Sequence, residues 1–96
     1  MRIEGIAEPW PSPALLAKLD SKHAVTPEEV EDAVFDDRRL LRTGRGDTLE
    51  IYSRTRGGRY LLIAAAARPH NQIFIITARD MTNTERRLYT KRRRTP

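Results

Sequence analysis

A chain of 96 residues without cysteine has room for one small domain and excludes disulfides and thiolate metal sites, and its two histidines alone cannot form a zinc site. The formal net charge of +5 lies at one end, because residues 1–78 contain 11 basic and 11 acidic side chains, whereas residues 79–96 contain 7 and 2. No apolar run reaches the roughly 20 residues that cross a bilayer, and the start, MRIEGIAEPW, lacks a signal-peptide core, so we expect a cytoplasmic protein without a membrane segment.

The first predicted helix follows the turn-like segment PWPSP. Ser12 followed by Pro13 favours a helix start, because the hydroxyl caps free backbone amides and the proline fits the first turn. The segment ALLAKLDSKH then places Leu15, Leu16 and Leu19 on one stripe. We expect this stripe to face the core.

The second predicted helix begins at TPEE. Thr26 is the cap, Pro27 lies in the first turn, and Glu29 closes a capping box. Three apolar side chains of this helix are expected to face the core: Val30, Ala33 and Val34. The helix is expected to end near Asp37, and residues 38–46, RRLLRTGRG, are interpreted as a mobile connection because they contain two glycines.

Three strands are predicted next, from TLEIYSR, YLLIAAAA and QIFIITA. Alternation in the first strand places Leu49, Ile51 and Ser53 on one face and leaves the other face wet. An RGG turn joins it to the second strand, which is apolar throughout like a central strand covered on both faces, although its four alanines also suit a helix. The same alternation in the third strand places four residues on one face: Ile73, Ile75, Thr77 and Arg79.

A last helix is predicted from Thr82, where TNTE forms another capping box with Glu85. Its apolar content is almost nothing beyond Leu88, so we expect it to lie loosely on the body or to be held by a partner. Three of its residues share one side: Arg86, Tyr89 and Arg93. Its cations and the basic tail of residues 91–96 indicate contact with nucleic acid or an acidic protein, although a short basic end also serves as a solubilising tail.

The residues at the end of the third strand and on the last helix suit phosphate chemistry. Arginine matches phosphate oxygens with a planar fork, and tyrosine stacks on a base or donates a proton. RNA cleavage without metal needs a base for the 2′-hydroxyl, cations for the phosphate and an acid for the leaving oxygen. Spacing alone does not show that such groups converge. Arg79 with Asp80 also suits a cap and a surface ion pair, Tyr89 suits a plug between helix and core, and Lys22 with His23 suits a solvated helix end.

Three segments stand out together: KHAVTPEEVEDAVFDD, RTGRGDTLEIYSRTRGGRYLLI and ITARDMTNTERRLY. They resemble the BrnT family of bacterial toxins, members of the wider RelE-like group of type II toxin–antitoxin ribonucleases. The resemblance runs over about residues 10–89, nearly the whole chain, and the pairing of ITARDMT with ERRLY is its most specific part.

The resemblance implies an α+β fold, with residues 1–96 forming one RelE-like domain. Two N-terminal helices and a C-terminal helix would pack on a three-stranded antiparallel sheet, in the order α-α-β-β-β-α. It also implies an endoribonuclease toxin that inhibits translation without a metal ion or cofactor, acting on RNA that is free or on the ribosome. A cognate antitoxin of the ribbon-helix-helix type would neutralise it and take the pair to operator DNA. The alternative is a non-catalytic module that binds nucleic acid or the antitoxin in transcriptional autorepression.

Several site residues are carried over from this resemblance. Arg79 would stabilise the phosphate, Tyr89 would stack on a base or help proton transfer, and Lys22 and His23 would act as cation and general acid or base. The expected RNA-binding residues are six cations: Arg59, Arg86, Arg87, Lys91, Arg92 and Arg93. Residues 64–67 are alanines where the family usually has bulky side chains, so we expect a thinner sheet there or a close-packed neighbour such as a second subunit of a homodimer.

Overall fold

The computed structural model describes residues 2–19 and 24–94, except for the side chains of Arg93 and Arg94. The described elements are, in chain order, β1 (Gly5–Ile6), α1 (Pro13–Lys18), α2 (Pro27–Val34), β2 (Leu40–Thr43), β3 (Thr48–Arg54), β4 (Tyr60–Arg68), β5 (Gln72–Asp80) and α3 (Asn83–Arg94). They form one five-stranded mixed sheet in the order β1-β5-β4-β3-β2, in which only the β1–β5 pair is parallel. The predicted α+β class is confirmed, but the three-stranded antiparallel sheet and the order α-α-β-β-β-α were wrong.

The two additional strands are short and lie at the edges of the sheet. β2 comes from the segment that was interpreted as a mobile connection, and all four of its residues pair with β3. A turn with Gly46 at a φ of 62° joins the two strands. β1 has only two residues, which pair with Gln72 and Ile73. Segments this short have too few residues for alternation to predict a strand. Their pairing with the neighbouring strands makes them part of the sheet.

All three predicted helix starts are confirmed by hydrogen bonds. The Ser12 hydroxyl caps α1 by accepting a backbone N–H at 3.1 Å. Thr26 and Glu29 form the capping box of α2 at 3.1 and 3.0 Å, and Thr82 and Glu85 form that of α3 at 3.2 and 2.8 Å. Within the described part of the chain, no helix is both long enough and apolar enough to cross a membrane.

The main core lies between one face of the sheet and the helices α1 and α2. It contains the three side chains predicted for α2, which are 0% exposed: Val30, Ala33 and Val34. Leu15 and Leu19 are 1% exposed, but Leu16 is 38% exposed, so the predicted stripe of three leucines was wrong at Leu16. Successive helix positions do not face the same way, and a short α1 presents only part of the stripe. α2 ends at Val34 instead of near Asp37, and the predicted continuation of α1 over residues 20–23 lies outside the described residues.

A bulge in β5 decides which face of the sheet Arg79 occupies. The register between β4 and β5 shifts between Ala64 and Ala65, and this shift leaves Ile76 as an extra residue in β5. Beyond the bulge, Thr77 and Arg79 lie on the face opposite the main core. The expectation of one shared face was therefore wrong for these four residues: Ile73, Ile75, Thr77 and Arg79.

A second cluster lies on the opposite face of the sheet, under α3. Tyr89 of α3 is 0% exposed and packs with Tyr52, Leu62 and Met81. Its ring meets the ring of Tyr60 edge-on, with centroids 6.0 Å apart. The expectation that this helix lies loosely on the body or needs a partner was wrong, whereas the alternative interpretation of Tyr89 as a plug between helix and core agrees with this packing.

Candidate nucleic-acid interface

Arg79 is held by a carboxylate at the junction of β5 and α3. Its guanidinium donates to both carboxylate oxygens of Glu85, at 2.7 and 2.8 Å, and to the carbonyl of Asp80 at 3.0 Å. The pKa of Glu85 is lowered to about 2, chiefly because Arg79 donates hydrogen bonds to its carboxylate. The same hydrogen bonds raise the pKa of Arg79. The residue expected to stabilise phosphate is thus engaged in a bidentate ion pair.

Arg59 is engaged in the same way. Its Nε and Nη2 donate to the two carboxylate oxygens of Asp80 at 2.7 and 3.0 Å, and its Nη1 donates to Glu29 at 3.2 Å and to the carbonyl of Ala24 at 3.1 Å. Hydrogen bonding to Asp80 is the main cause that raises the pKa of Arg59. This arginine joins α2 to β5, so contact with RNA would have to compete with two carboxylates.

Of the remaining predicted catalytic residues, Tyr89 alone lies among the described residues. Tyr89 is fully buried, so its ring is not open to a base, and its packing matches the interpretation as a plug between helix and core. Lys22 and His23 lie outside the described residues, as does the side chain of Arg93. The catalytic roles of Lys22 and His23 stay predictions.

An open groove of about 710 Å³ lies beside α3. Six residues line it: Tyr60, Asn83, Arg86, Arg87, Thr90 and Lys91. Three of the predicted RNA-binding cations, Arg86, Arg87 and Lys91, therefore lie together, and no carboxylate or imidazole is among the lining residues. Arg92 lines a different and smaller pocket, together with residues 37–40 at and before the start of β2.

Tyr60 is the aromatic residue of this groove, and sequence reasoning missed it. The guanidinium carbon of Arg86 lies 4.3 Å from the centroid of its ring, and that of Arg54 lies 5.9 Å from it. The pKa of Tyr60 is lowered, chiefly because hydrogen bonding by Arg54 stabilises the phenolate, with a further contribution from Arg86. The predicted hairpin could have placed Arg54 beside Tyr60, because these two residues oppose each other across the turn. The second neighbour comes from the packing of α3.

The arginines of the groove and Arg54, which lies over the Tyr60 ring, differ from Arg59 and Arg79 in their partners. Among the described residues, Arg54, Arg86 and Arg87 form no salt bridge with a carboxylate. Arg86 and Arg87 are exposed. Exposed guanidinium groups around an aromatic ring can bind the phosphates and the bases of a single-stranded nucleic acid.

A second large groove of the described structure is acidic. It measures about 750 Å³, and its lining includes Glu28, Glu31 and Asp32 beside Phe35, which is 45% exposed. No group of three or more His, Cys, Asp or Glu residues that could hold a metal ion exists in the described part of the chain. The acidic groove lies beside α2 and the basic groove lies beside α3. This separation of charge would orient a polyanion towards α3.

No family model matches this sequence, and no curated protein matches it either. The resemblance to the BrnT toxins therefore depends on the sequence motifs alone and stays a prediction. One of those motifs has a structural role. At the start of α3, Glu85 accepts hydrogen bonds from Arg79 and Thr82 of ITARDMT, and its N–H donates to the Thr82 hydroxyl.

Proposed function

We propose that this protein is the toxin of a type II toxin–antitoxin pair, and that it binds and cleaves RNA in the groove beside α3 without a metal ion or cofactor. One observation carries the proposal: the ring of Tyr60 lies against the guanidinium groups of Arg54 and Arg86, in a groove that Arg87 and Lys91 also line. Aromatic rings stack on bases, and arginines bind the phosphates between them. The BrnT-like motifs supply the reaction class.

The proposed reaction uses the RNA as its own nucleophile. The 2′-oxygen forms a bond to phosphorus while the bond from phosphorus to the 5′-oxygen breaks, which leaves a 2′,3′-cyclic phosphate and a 5′-hydroxyl. Negative charge builds up on the phosphoryl oxygens during this step. Arg54 and Arg86 are the cations we assign to stabilise it, because carboxylates already engage Arg59 and Arg79.

The proposal includes partners that follow from the resemblance. A cognate antitoxin of the ribbon-helix-helix type would neutralise the toxin and carry the pair to operator DNA for autorepression. The toxin would act in the cytoplasm, on RNA that is free or on the ribosome. A homodimer with a second subunit against the alanines of β4 also belongs to this proposal.

A binding module without catalysis is the second candidate function, and two observations favour it. Arg59 and Arg79 are engaged by carboxylates, and no imidazole or carboxylate lines the groove beside α3. In this alternative, Arg86, Arg87 and Lys91 contact the phosphates of RNA or operator DNA, and no bond is cleaved.

Binding is tested by fluorescence anisotropy with single-stranded RNA over a salt series. Arg86→Ala should weaken binding several-fold and flatten the slope of log K against log salt by about 0.7 for one lost phosphate contact. Arg68→Ala is the matched control, because its guanidinium also lies over a ring, 5.4 Å from the centroid of Phe74. That site is at the other end of β4, about 26 Å away along the strand. Equal losses in both variants would show that net charge, and not the groove, drives binding.

Cleavage is tested with the same protein and RNA in excess EDTA. RNA fragments that end in a 2′,3′-cyclic phosphate would support the ribonuclease, whereas RNA that is bound but intact would support the binding module. In bacteria, induced expression of the wild type should arrest growth and cleave messenger RNA, and expression of folded Arg86→Ala should do so much less. Normal growth and intact RNA with the wild type would contradict the toxin function.

A further inference from the structure

Tyr60 lies between the buried cluster under α3 and the open groove beside it. It is the first residue of β4, and its backbone carbonyl accepts a hydrogen bond from the N–H of Met81 at 3.0 Å. Its ring packs edge-on against buried Tyr89 on one side and lines the open groove on the other. The strand and the helix therefore position the ring beside the surface where RNA would bind.

The other residues that line the groove are poor acceptors for a proton. Arg86, Arg87 and Lys91 are cations, and Asn83 and Thr90 are neutral side chains that do not titrate near neutral pH. His70 lies in the turn between β4 and β5, at the opposite end of β4 from the groove. The hydroxyl of Tyr60 is thus the group of this lining that can both release and accept a proton.

We propose that Tyr60 is the general base of RNA cleavage in this groove, with Arg54 and Arg86 holding the scissile phosphate beside it. This inference depends on the ribonuclease function proposed above. The Tyr60 phenolate takes the proton of the RNA 2′-hydroxyl as the 2′-oxygen bonds to phosphorus. The 5′-oxygen leaves with a proton from water, and the hydroxide that remains takes the proton of Tyr60, so protons and charge balance.

The cations beside Tyr60 favour its phenolate. Arg54 comes from β3 and Arg86 from α3, and Arg87 and Lys91 of α3 line the same groove. The pKa of Tyr60 is lowered, chiefly by hydrogen bonding from Arg54. By contrast, burial is the main cause that raises the pKa of Tyr52, the other tyrosine of this cluster on the sheet. The surroundings therefore favour the phenolate of Tyr60 and disfavour that of Tyr52.

Tyr60→Phe is the main test, because it keeps the ring, its stacking and its contact with Tyr89 and removes only the hydroxyl. We expect RNA affinity within about twofold of the wild type. The cleavage rate should fall by at least about 100-fold, the usual contribution of a positioned base. Tyr52→Phe is the matched control, because it removes a hydroxyl that lies 3.5 Å from Glu50 and outside the groove, and it should cleave at the wild-type rate. Tyr89→Phe tests the tyrosine that the sequence motifs suggested.

The pH dependence of cleavage separates a proton-transfer role from a structural one. The wild-type rate should rise with pH and level off once Tyr60 is ionised. Arg54→Gln removes the main cause of the lowered pKa, so its rate should level off at a higher pH. A merely structural role of Tyr60 and Arg54 would lower the rate without moving this point. NMR titration of labelled tyrosines in the RNA-free protein should show Tyr60 ionising at a lower pH than Tyr52.

Three results would overturn the assignment. Wild-type cleavage rates in Tyr60→Phe would remove Tyr60 from the reaction and leave the ribonuclease function standing. Loss of cleavage in Tyr89→Phe with retention in Tyr60→Phe would transfer the role to Tyr89. RNA that the wild type binds but does not cleave would overturn both this inference and the ribonuclease proposal. If Tyr60→Phe fails to fold, the NMR titration decides, because ionisation of Tyr60 at or above the pH of Tyr52 contradicts the inference.

Discussion

Glu85→Gln should destabilise the protein by about 1–2 kcal/mol at pH 7, because it removes the charge that holds β5 to α3. The carboxylate accepts hydrogen bonds from Arg79 at 2.7 and 2.8 Å and from the N–H of Thr82 at 2.8 Å. Lowering its pKa from 4.5 to about 2 corresponds to at most about 3 kcal/mol of folding free energy. Its side chain is 20% exposed and that of Arg79 is 38% exposed, so solvent screening reduces this value.

The loss should depend on pH in a defined direction. The pKa of Glu85 is lower in the folded state than in the unfolded state, so its contribution is fully present well above pH 4.5 and is lost as the pH falls towards about 2. Urea unfolding of the wild type and Glu85→Gln between pH 7 and pH 2 measures this. The difference in free energy of unfolding should be largest at pH 7 and should shrink towards zero near pH 2.

Glu28→Gln is the matched control for this experiment. Glu28 also lies in the first turn of a helix, is exposed, and takes part in no salt bridge among the described residues. Its replacement should cost about 0.5 kcal/mol or less, the contribution of the helix dipole. A loss in Glu85→Gln that stays constant from pH 7 to pH 2, or that equals the loss in Glu28→Gln, would refute the role assigned to the ionised carboxylate.

Three further predictions use urea unfolding at pH 7. Leu15→Ala should cost about 2–5 kcal/mol and Leu16→Ala less than about 1 kcal/mol, because only the first side chain is buried; equal losses would contradict the placement of α1. Ser53→Ala removes the 2.6 Å hydrogen bond from its hydroxyl to the carbonyl of Ala33 and should cost about 1–2 kcal/mol; unchanged stability would show that this link between β3 and α2 contributes nothing. Thr26→Ala removes the cap of α2 and should cost about 1 kcal/mol; a loss below about 0.3 kcal/mol would disagree with the observed capping box.

The helix starts and the three long strands could be predicted because their signals are local. A serine or threonine cap acts within three residues of itself, and this is why the starts at Ser12, Thr26 and Thr82 are confirmed. Alternation along β3 likewise predicts that Ile51 and Ser53 face the core, and both are 0% exposed. The expectation that the other face of this strand is wet was wrong at Tyr52, which is 4% exposed because α3 covers that face. These patterns depend on neighbours in sequence and need no knowledge of the rest of the fold.

The edge strands and the bulge depend on partners that sequence reasoning did not identify. β1 and β2 have two and four residues, and they are strands only because β5 and β3 lie beside them. The extra residue Ile76 reverses the alternation of β5, so a strict period of two places Arg79 on the wrong face. The candidate site also depends on such partners. The basic helix α3 was predicted, but the ring of Tyr60 beside it was not.

The sequence by itself determined the α+β class, the helix caps, the hairpin at RGG and the concentration of cations at one end of the chain. Only the tertiary structure decided which of those cations are open to a ligand. Carboxylates distant in sequence engage Arg59, and Glu85 engages Arg79, whereas Arg54 and Arg86 converge on Tyr60 from a strand and a helix. The physical reason is that charge and ring contacts act through space, so their partners appear only when strand register and helix packing are known.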